Sequence, residues 1–105
     1  MLTIFISQPM FQKSKEEIDY TQQCAIEKLH KIFPYDFLTI LDTYIKDDLQ
    51  ENYSGLRYLA RSIELLDKAD YAVFLEGWED GRGCRIEHEC AKAYGVPIIY
   101  LQKEE

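Results

Sequence analysis

The stretch that decides the fold is GCRIEHECAKAYGVPIIY, residues 83–100. A glycine turn leads into a helical segment that carries Glu87 near its beginning, so the carboxylate is predicted to lie in the first turn. Gly95 ends the helix, Pro97 prevents its continuation, and an apolar run typical of a strand follows. This order aims one acid at the rim of a parallel sheet, where open α/β sheets bind their ligands.

Apolar, β-branched runs like the one that ends this stretch occur three more times upstream. The predicted strands span residues 2–6, 37–41, 71–75 and 97–101. Strands without polar alternation are typical of a parallel sheet that is covered on both faces.

Helical patterns separate the strands. The predicted helices span residues 14–33, 56–66 and 84–94. Ser14 and Glu17 form a capping box at the start of the first helix, and Ser54 is a candidate cap for the second. A polar loop is predicted over residues 42–53, and a loop with three glycines over residues 76–83.

The strict alternation of strands and helices predicts an α/β fold with a single domain over residues 1–105. Right-handed crossovers give a three-layer sandwich of the flavodoxin-like or Rossmann-like kind. We expect a four-stranded parallel sheet in the order 2-1-3-4, with one helix on one face and two on the other.

Composition narrows the classes of partner. The net charge of −7 argues against nonspecific binding to a nucleic acid polymer or an anionic membrane. No apolar run is long enough to span a bilayer and no basic leader precedes the first strand, so a cytoplasmic location is expected. The three cysteines lack regular spacing, which favours reduced thiols over a disulfide framework.

Glu87 is the leading candidate for chemistry. A carboxylate in the first turn of a helix is stabilised as an anion by the helix dipole and by free backbone N–H groups. Such an anion can act as a nucleophile toward the electrophilic carbon of a sugar. The alternative is that Glu87 only stabilises the helix. Glu89 is predicted to point to nearly the opposite face of the helix, which argues against a catalytic pair.

Other residues are predicted to lie at the same rim. The loop after the first strand consists of Ser7, Gln8, Pro9 and Met10, and it lacks the glycine-rich pattern of dinucleotide or P-loop sites. Trp78 either stacks on a base or is a partly buried surface ring. Arg82 and Arg85 could hold a phosphate, or they are solvated or paired with nearby acids. Tyr58 and Ser62 share one helix face, where packing alone would account for both.

A metal site at Cys84, His88 and Cys90 is not favoured. Cys84 and His88 share a helix face, whereas Cys90 points elsewhere and no fourth ligand lies nearby in the sequence.

The chain resembles the nucleoside 2-deoxyribosyltransferase superfamily, which includes the 2′-deoxynucleoside 5′-phosphate N-hydrolases, and it looks closest to short bacterial and phage relatives of that superfamily. The resemblance to these relatives rests on Ile4–Met10, Gly77–Trp78 and Arg82–Gly95. The superfamily pattern of a glycine, the nucleophilic glutamate, an alanine, a glycine and a proline is matched with the same spacing at Gly83, Glu87, Ala91, Gly95 and Pro97.

Several positions depart from the superfamily pattern. Cys84 replaces a serine or threonine, Glu89 replaces a glycine, and Phe5 stands where transferases often have a tyrosine near the sugar. Ser62 falls where they carry an aspartate, and Asp80 is offset by one residue from an acid that binds the sugar hydroxyl. These departures put base exchange in doubt and fit a smaller hydrolase or a pocket that only binds a nucleotide.

The resemblance implies attack by Glu87 on the anomeric carbon, followed by release of the sugar by water or a second base, without a metal or organic cofactor. Three hypotheses remain. The protein is an N-glycosidic hydrolase or transferase, a non-catalytic nucleotide-binding module for sensing or sequestering, or an enzyme that cleaves an NAD-type nucleotide. A homodimer or larger homo-oligomer is expected, because a domain this small gains pocket walls from a partner.

Overall fold

The computed structural model describes residues 1–41 and 55–102 of the chain. The predicted polar loop at residues 42–53 and the candidate cap Ser54 therefore lie outside the described residues. The strands are β1 (Leu2–Ser7), β2 (Leu38–Ile40), β3 (Tyr71–Leu75) and β4 (Ile98–Leu101). The helices are α1 (Lys15–Ile32), α2 (Gly55–Leu66) and α3 (Arg82–Ala93), with a short 3-10 helix at Trp78–Asp80 before α3.

The four strands form one sheet in the order β2-β1-β3-β4, and every neighbouring pair is parallel. This confirms the predicted α/β sandwich and its strand order. In the central pair, Ser7 at the end of β1 lies beside Phe74 near the end of β3. The carboxyl ends of the two central strands therefore open at the same edge of the sheet, where the loops that follow them meet.

Alternating side chains of the central strands build a core on each face of the sheet. On one face, Ile4 and Ile6 pack with Ala25 and Leu29 of α1. On the other face, Phe5 and Phe74 of the sheet pack with Leu66 of α2 and Ala91 of α3. The predicted division into one helix and two helices on opposite faces follows from this packing.

The ends of α1 and α3 follow the predicted sequence signals. The Ser14 hydroxyl oxygen accepts a hydrogen bond of 3.1 Å from the backbone N–H of Glu17, as in a capping box. At the end of α3, Gly95 adopts a φ of +74° and the N–H of Val96 donates to the carbonyl of Ala91 at 2.9 Å. This is the 6→1 bond of a Schellman motif, which favours glycine at the left-handed position.

The start of α3 differs from the prediction. Gly81 is the N-cap, the helix begins at Arg82 instead of residue 84, and the N–H of Arg85 donates to the carbonyl of Gly81 at 3.0 Å. Glu87 therefore lies in the second turn of α3, and the first turn contains no acidic residue. Within residues 1–41 and 55–102, no helix combines the length and the apolar character that a bilayer crossing requires.

Candidate functional site

An open cleft of about 1180 Å³ lies at the carboxyl edge of the central strands. Its walls come from the end of β1 and the turn after it, from one face of α2, and from the beginning of α3. The predicted site residues that line it are Phe5, Ser7, Gln8, Pro9, Met10, Tyr58, Ser62, Asp80, Arg82, Gly83 and Glu87. The fold therefore brings most of the predicted set to one cleft.

Glu87 lies at the floor of this cleft, where only 7% of the residue is exposed. The Ser7 hydroxyl donates a hydrogen bond of 2.7 Å to Glu87 Oε1, which joins the end of β1 to α3. The hydroxyl of Ser62, which is fully buried on α2, also hydrogen bonds to this carboxylate. Three elements thus converge on one acidic side chain, whereas Glu89 is exposed on another face of α3, as predicted.

The charge on Glu87 is controlled differently from the prediction. Burial raises the pKa of Glu87 above its ordinary value of 4.5, and this effect exceeds the lowering by hydrogen bonds from Ser7 and Ser62. The predicted stabilisation by first-turn N–H groups is wrong, because Glu87 lies beyond the first turn of α3. Two serine hydroxyls take the place of those N–H groups as donors that favour the ionised form.

Cys84, which was not among the predicted ligand contacts, also lines the cleft beside Glu87. Its thiol is buried one helical turn before Glu87. Burial raises the pKa of the Cys84 thiol from 9.0 to about 11, and the charge of Glu87 also raises it, whereas a hydrogen bond with Ser7 lowers it. Cys84 is therefore a neutral thiol at physiological pH and fills the space beside Ser7.

Gln8 is almost completely covered at the end of β1, with 5% of the residue exposed. Its Nε2 donates to the carbonyl oxygen of Ile18 in α1 at 3.3 Å. Its Oε1 has no hydrogen-bond partner in the part of the chain that the structure describes. A buried amide oxygen without a donor is uncommon in folded proteins.

The outer parts of the cleft combine apolar and charged side chains. The Tyr58 hydroxyl donates to Met10 Sδ at 3.2 Å, which links α2 to the turn after β1. Phe11 and Lys13 of that turn also line the cleft, although no periodic pattern or motif in the sequence marks them. Arg82, at the first position of α3, also lines the cleft. Two cationic side chains, Lys13 and Arg82, therefore border the cleft.

Trp78 and Arg85, which were also predicted to contact a ligand, do not line this cleft. The Trp78 ring stacks on the His88 ring with centroids 4.1 Å apart, and the edge of Phe74 packs against it. Arg85 donates to the backbone carbonyl of Glu79 at 3.0 Å. Both side chains are used in local packing around the 3-10 helix.

The cysteine and histidine side chains are dispersed. All three cysteines are free thiols. His88 Nε2 lies 2.6 Å from the Tyr100 hydroxyl, within the aromatic cluster around Trp78, whereas Cys90 packs against the core between the sheet and α3. Among the residues that the structure describes, no group of three or more potential metal ligands occurs.

Comparison with known proteins identifies a family but no characterised relative. Neither a search of curated proteins nor a search of solved structures finds a match to this chain. One family model, described as "Domain of unknown function (DUF4406)", matches residues 7–100, which include the end of β1, all of α3 and most of β4. The chain therefore belongs to the DUF4406 family.

Proposed function

We propose that this protein hydrolyses or transfers the N-glycosidic bond of a nucleoside or nucleotide, with Glu87 as the nucleophile. The observation that carries the proposal is the buried Glu87 carboxylate, held by the Ser7 hydroxyl at 2.7 Å on the floor of an open cleft. The spacing of Gly83, Glu87, Ala91, Gly95 and Pro97, which resembles the nucleoside 2-deoxyribosyltransferase pattern, supports the same role.

The reaction proceeds in two displacements. A carboxylate oxygen of Glu87 attacks the anomeric carbon of the sugar while the bond to the base nitrogen breaks. The electron pair of that bond leaves with the base, which takes up a proton from solvent. Water, or the nitrogen of a second base, then attacks the anomeric carbon and releases the Glu87 carboxylate.

The surroundings of Glu87 suit this chemistry in two ways. Ser7 and Ser62 hold the carboxylate from different elements, so its orientation is fixed before the substrate arrives. The low exposure of the carboxylate keeps bulk water from competing with the sugar for contact with its oxygens. Lys13 and Arg82, which both line the cleft, are candidates to contact a 5′-phosphate.

A non-catalytic nucleotide-binding module is the second candidate. It is favoured by the burial that raises the pKa of Glu87, because burial disfavours the charged carboxylate that a nucleophile requires. In this function the same cleft holds a nucleotide for sensing or sequestering and releases it unchanged.

Release of free base tests the proposal. Wild type, Glu87→Gln and Glu89→Gln are incubated with 2′-deoxynucleosides, their 5′-monophosphates and NAD, and the products are separated by liquid chromatography. We expect Glu87→Gln to reduce turnover about a thousandfold or more while ligand binding largely survives. Glu89→Gln is the matched control, since its side chain is exposed on another face of α3 and its turnover should stay close to wild type.

The outcomes separate the two functions. Equal base release by wild type and Glu87→Gln would contradict the assigned nucleophile. Tight binding of one nucleotide by wild type without any release of base would favour the binding module.

We also propose that the protein acts as a homodimer or larger homo-oligomer. Phe11 and Leu56 line the cleft, yet they are 85% and 79% exposed. A second copy of the chain placed over this rim would remove apolar surface from water and would add walls to the cleft.

A further inference from the structure

We propose that Gln8 selects ligands by polarity, in that its side-chain oxygen accepts a hydrogen bond from an N–H or O–H group of the bound molecule. The donor is an amino or imino group of the base or a hydroxyl of the sugar. This inference rests on the proposed function, because nucleosides are the ligands that the cleft is taken to hold.

The orientation of the Gln8 amide is fixed by its partner in α1. The backbone carbonyl of Ile18, 3.3 Å from Gln8 Nε2, can only accept a hydrogen bond. The nitrogen of the amide must therefore face Ile18, and exchanging the two amide atoms would place two acceptors against each other. Oε1 consequently points away from Ile18 and can serve only as an acceptor.

That acceptor has no donor among the residues that the structure describes, although only 5% of Gln8 is exposed to solvent. An unsatisfied buried oxygen destabilises the folded chain, so its retention beside a cleft calls for a partner that arrives from outside. Gln8 lines the cleft on the side of α1, whereas Ser7 and Glu87 line it on the side of α3. A ligand that spans the cleft from Glu87 toward α1 would therefore reach this acceptor.

Access to Gln8 Oε1 involves the turn between β1 and α1. This turn closes with a hydrogen bond of 3.2 Å from the N–H of Lys13 to the carbonyl of Met10, and residues 11–13 are exposed. Gln12 adopts a φ of +62°, which is uncommon for a residue other than glycine. Because Oε1 is covered by surrounding residues, the proposal requires a neighbouring segment to move when a ligand enters, and this exposed turn is the segment that we propose to move.

The test replaces Gln8 by methionine, which has a similar length but neither accepts nor donates a strong hydrogen bond. The matched control is Gln23→Met on the exposed face of α1. Without ligand, we expect Gln8→Met to melt close to wild type, because loss of the hydrogen bond from Nε2 to the Ile18 carbonyl is offset by loss of the unsatisfied acceptor. With a nucleoside that supplies the donor, we expect Gln8→Met to bind about tenfold more weakly than wild type and Gln23→Met to bind equally well.

Matched analogues identify the donor. The probes are 2′-deoxyadenosine and 2′-deoxycytidine, the analogues of each that lack the exocyclic amino group, and the analogues that lack the 3′-hydroxyl. Dissociation constants come from the ligand-induced rise in melting temperature. The analogue without the responsible group should bind wild type and Gln8→Met equally, which assigns the contact to the base or to the sugar.

Two results would overturn the inference. The first is that Gln8→Met binds every probe with the same affinity as wild type. The second is that Gln8→Met, measured without ligand, melts clearly below wild type, which would show that Gln8 mainly stabilises the fold. If wild type binds none of the probes, the proposed function fails, and the ligand-free melting temperature still decides whether the Gln8 oxygen is an unsatisfied acceptor.

Discussion

Burial and hydrogen bonding act in opposite directions on the Glu87 carboxyl group. Burial raises its pKa above 4.5, while the Ser7 and Ser62 hydroxyls favour the charged form. The folded chain therefore binds more protons at this site than the unfolded chain, and stability falls as the pH rises from 4.5 to the raised pKa. Above that interval, Glu87→Gln should be at least as stable as wild type, so its loss of activity would not reflect unfolding.

Removal of either hydroxyl partner should move the titration of Glu87. We expect Ser7→Ala and Ser62→Ala each to raise the pKa of Glu87 further, because each removes a donor that stabilises the carboxylate. The rising limb of the pH–rate profile should shift to higher pH in both variants, since the nucleophile must be ionised. Cys84, with a pKa of about 11, does not titrate in this range.

The measurement is the ¹³C NMR titration of the Glu87 carboxyl carbon, which reports the pKa whether or not the protein turns over a substrate. Ser14→Ala, which removes the cap of α1, serves as the control and should leave the midpoint unchanged. An unchanged midpoint in both cleft variants would show that neither hydroxyl stabilises the carboxylate.

Individual residues were predictable from the sequence only where a motif or the end of a strand fixed their position. Ser7 and Glu87 lie in one cleft, as the topology predicts, because both follow the carboxyl ends of central strands. The bond from Ser62 to Glu87 depends on how α2 packs against α3, and no local pattern encodes that distance. The stacking of Trp78 on His88, ten residues away, depends in the same way on packing that no local pattern encodes.

At the level of elements, capping signals predicted boundaries better than glycine content did. Ser14 and Gly95 mark the ends of α1 and α3 through specific hydrogen bonds, and β3 spans the predicted residues 71–75. The start of α3 was predicted two residues too late, because glycine is a poor helix former and the loop before residue 84 is rich in it.

Gly95 and Gly83 should respond in opposite ways to the same substitution. Gly95 has a φ of +74° and nothing lies within 4 Å of an added Cβ, so Gly95→Ala meets only backbone strain and should lower the free energy of unfolding by about 1 kcal/mol. Gly83 lies within α3, where an added Cβ would meet only Leu59 at 4.0 Å. Gly83→Ala should therefore leave stability unchanged or raise it by up to about 1 kcal/mol.

Urea unfolding followed by far-UV circular dichroism measures both glycine variants. The difference between the two variants measures the cost of the left-handed backbone conformation at residue 95, since neither substitution meets a steric clash. Equal losses of stability in Gly95→Ala and Gly83→Ala would contradict the left-handed conformation at the end of α3.

At the level of the whole molecule, the sheet order followed from the alternation of strands and helices together with the handedness of crossovers. That argument needs only the presence of each element and not its exact boundaries. The surface that binds a second copy could not be predicted in this way, because it depends on which apolar side chains remain exposed after folding. Phe11 and Leu56 at the cleft rim became candidates only once the fold was known.

The proposed assembly predicts that the cleft rim controls the mass of the particle in solution. Light scattering after size-exclusion chromatography should give at least twice the monomer mass of 12.4 kDa for wild type at micromolar concentration. Phe11→Ser and Leu56→Ser should shift the particle toward the monomer, since each removes apolar surface that a partner would bury. Base release should fall with dissociation if the partner completes the cleft.

Tyr35 provides the control that separates the rim from exposed apolar surface in general. It is 98% exposed and lies in the turn between α1 and β2, at the edge of the sheet opposite the cleft. Tyr35→Ser should leave the mass unchanged if copies associate through the rim. A monomeric wild type would contradict the assembly. A mass that falls with Tyr35→Ser but not with Phe11→Ser would place the interface at the amino end of the sheet. A partner bound there could not add walls to the cleft around Glu87.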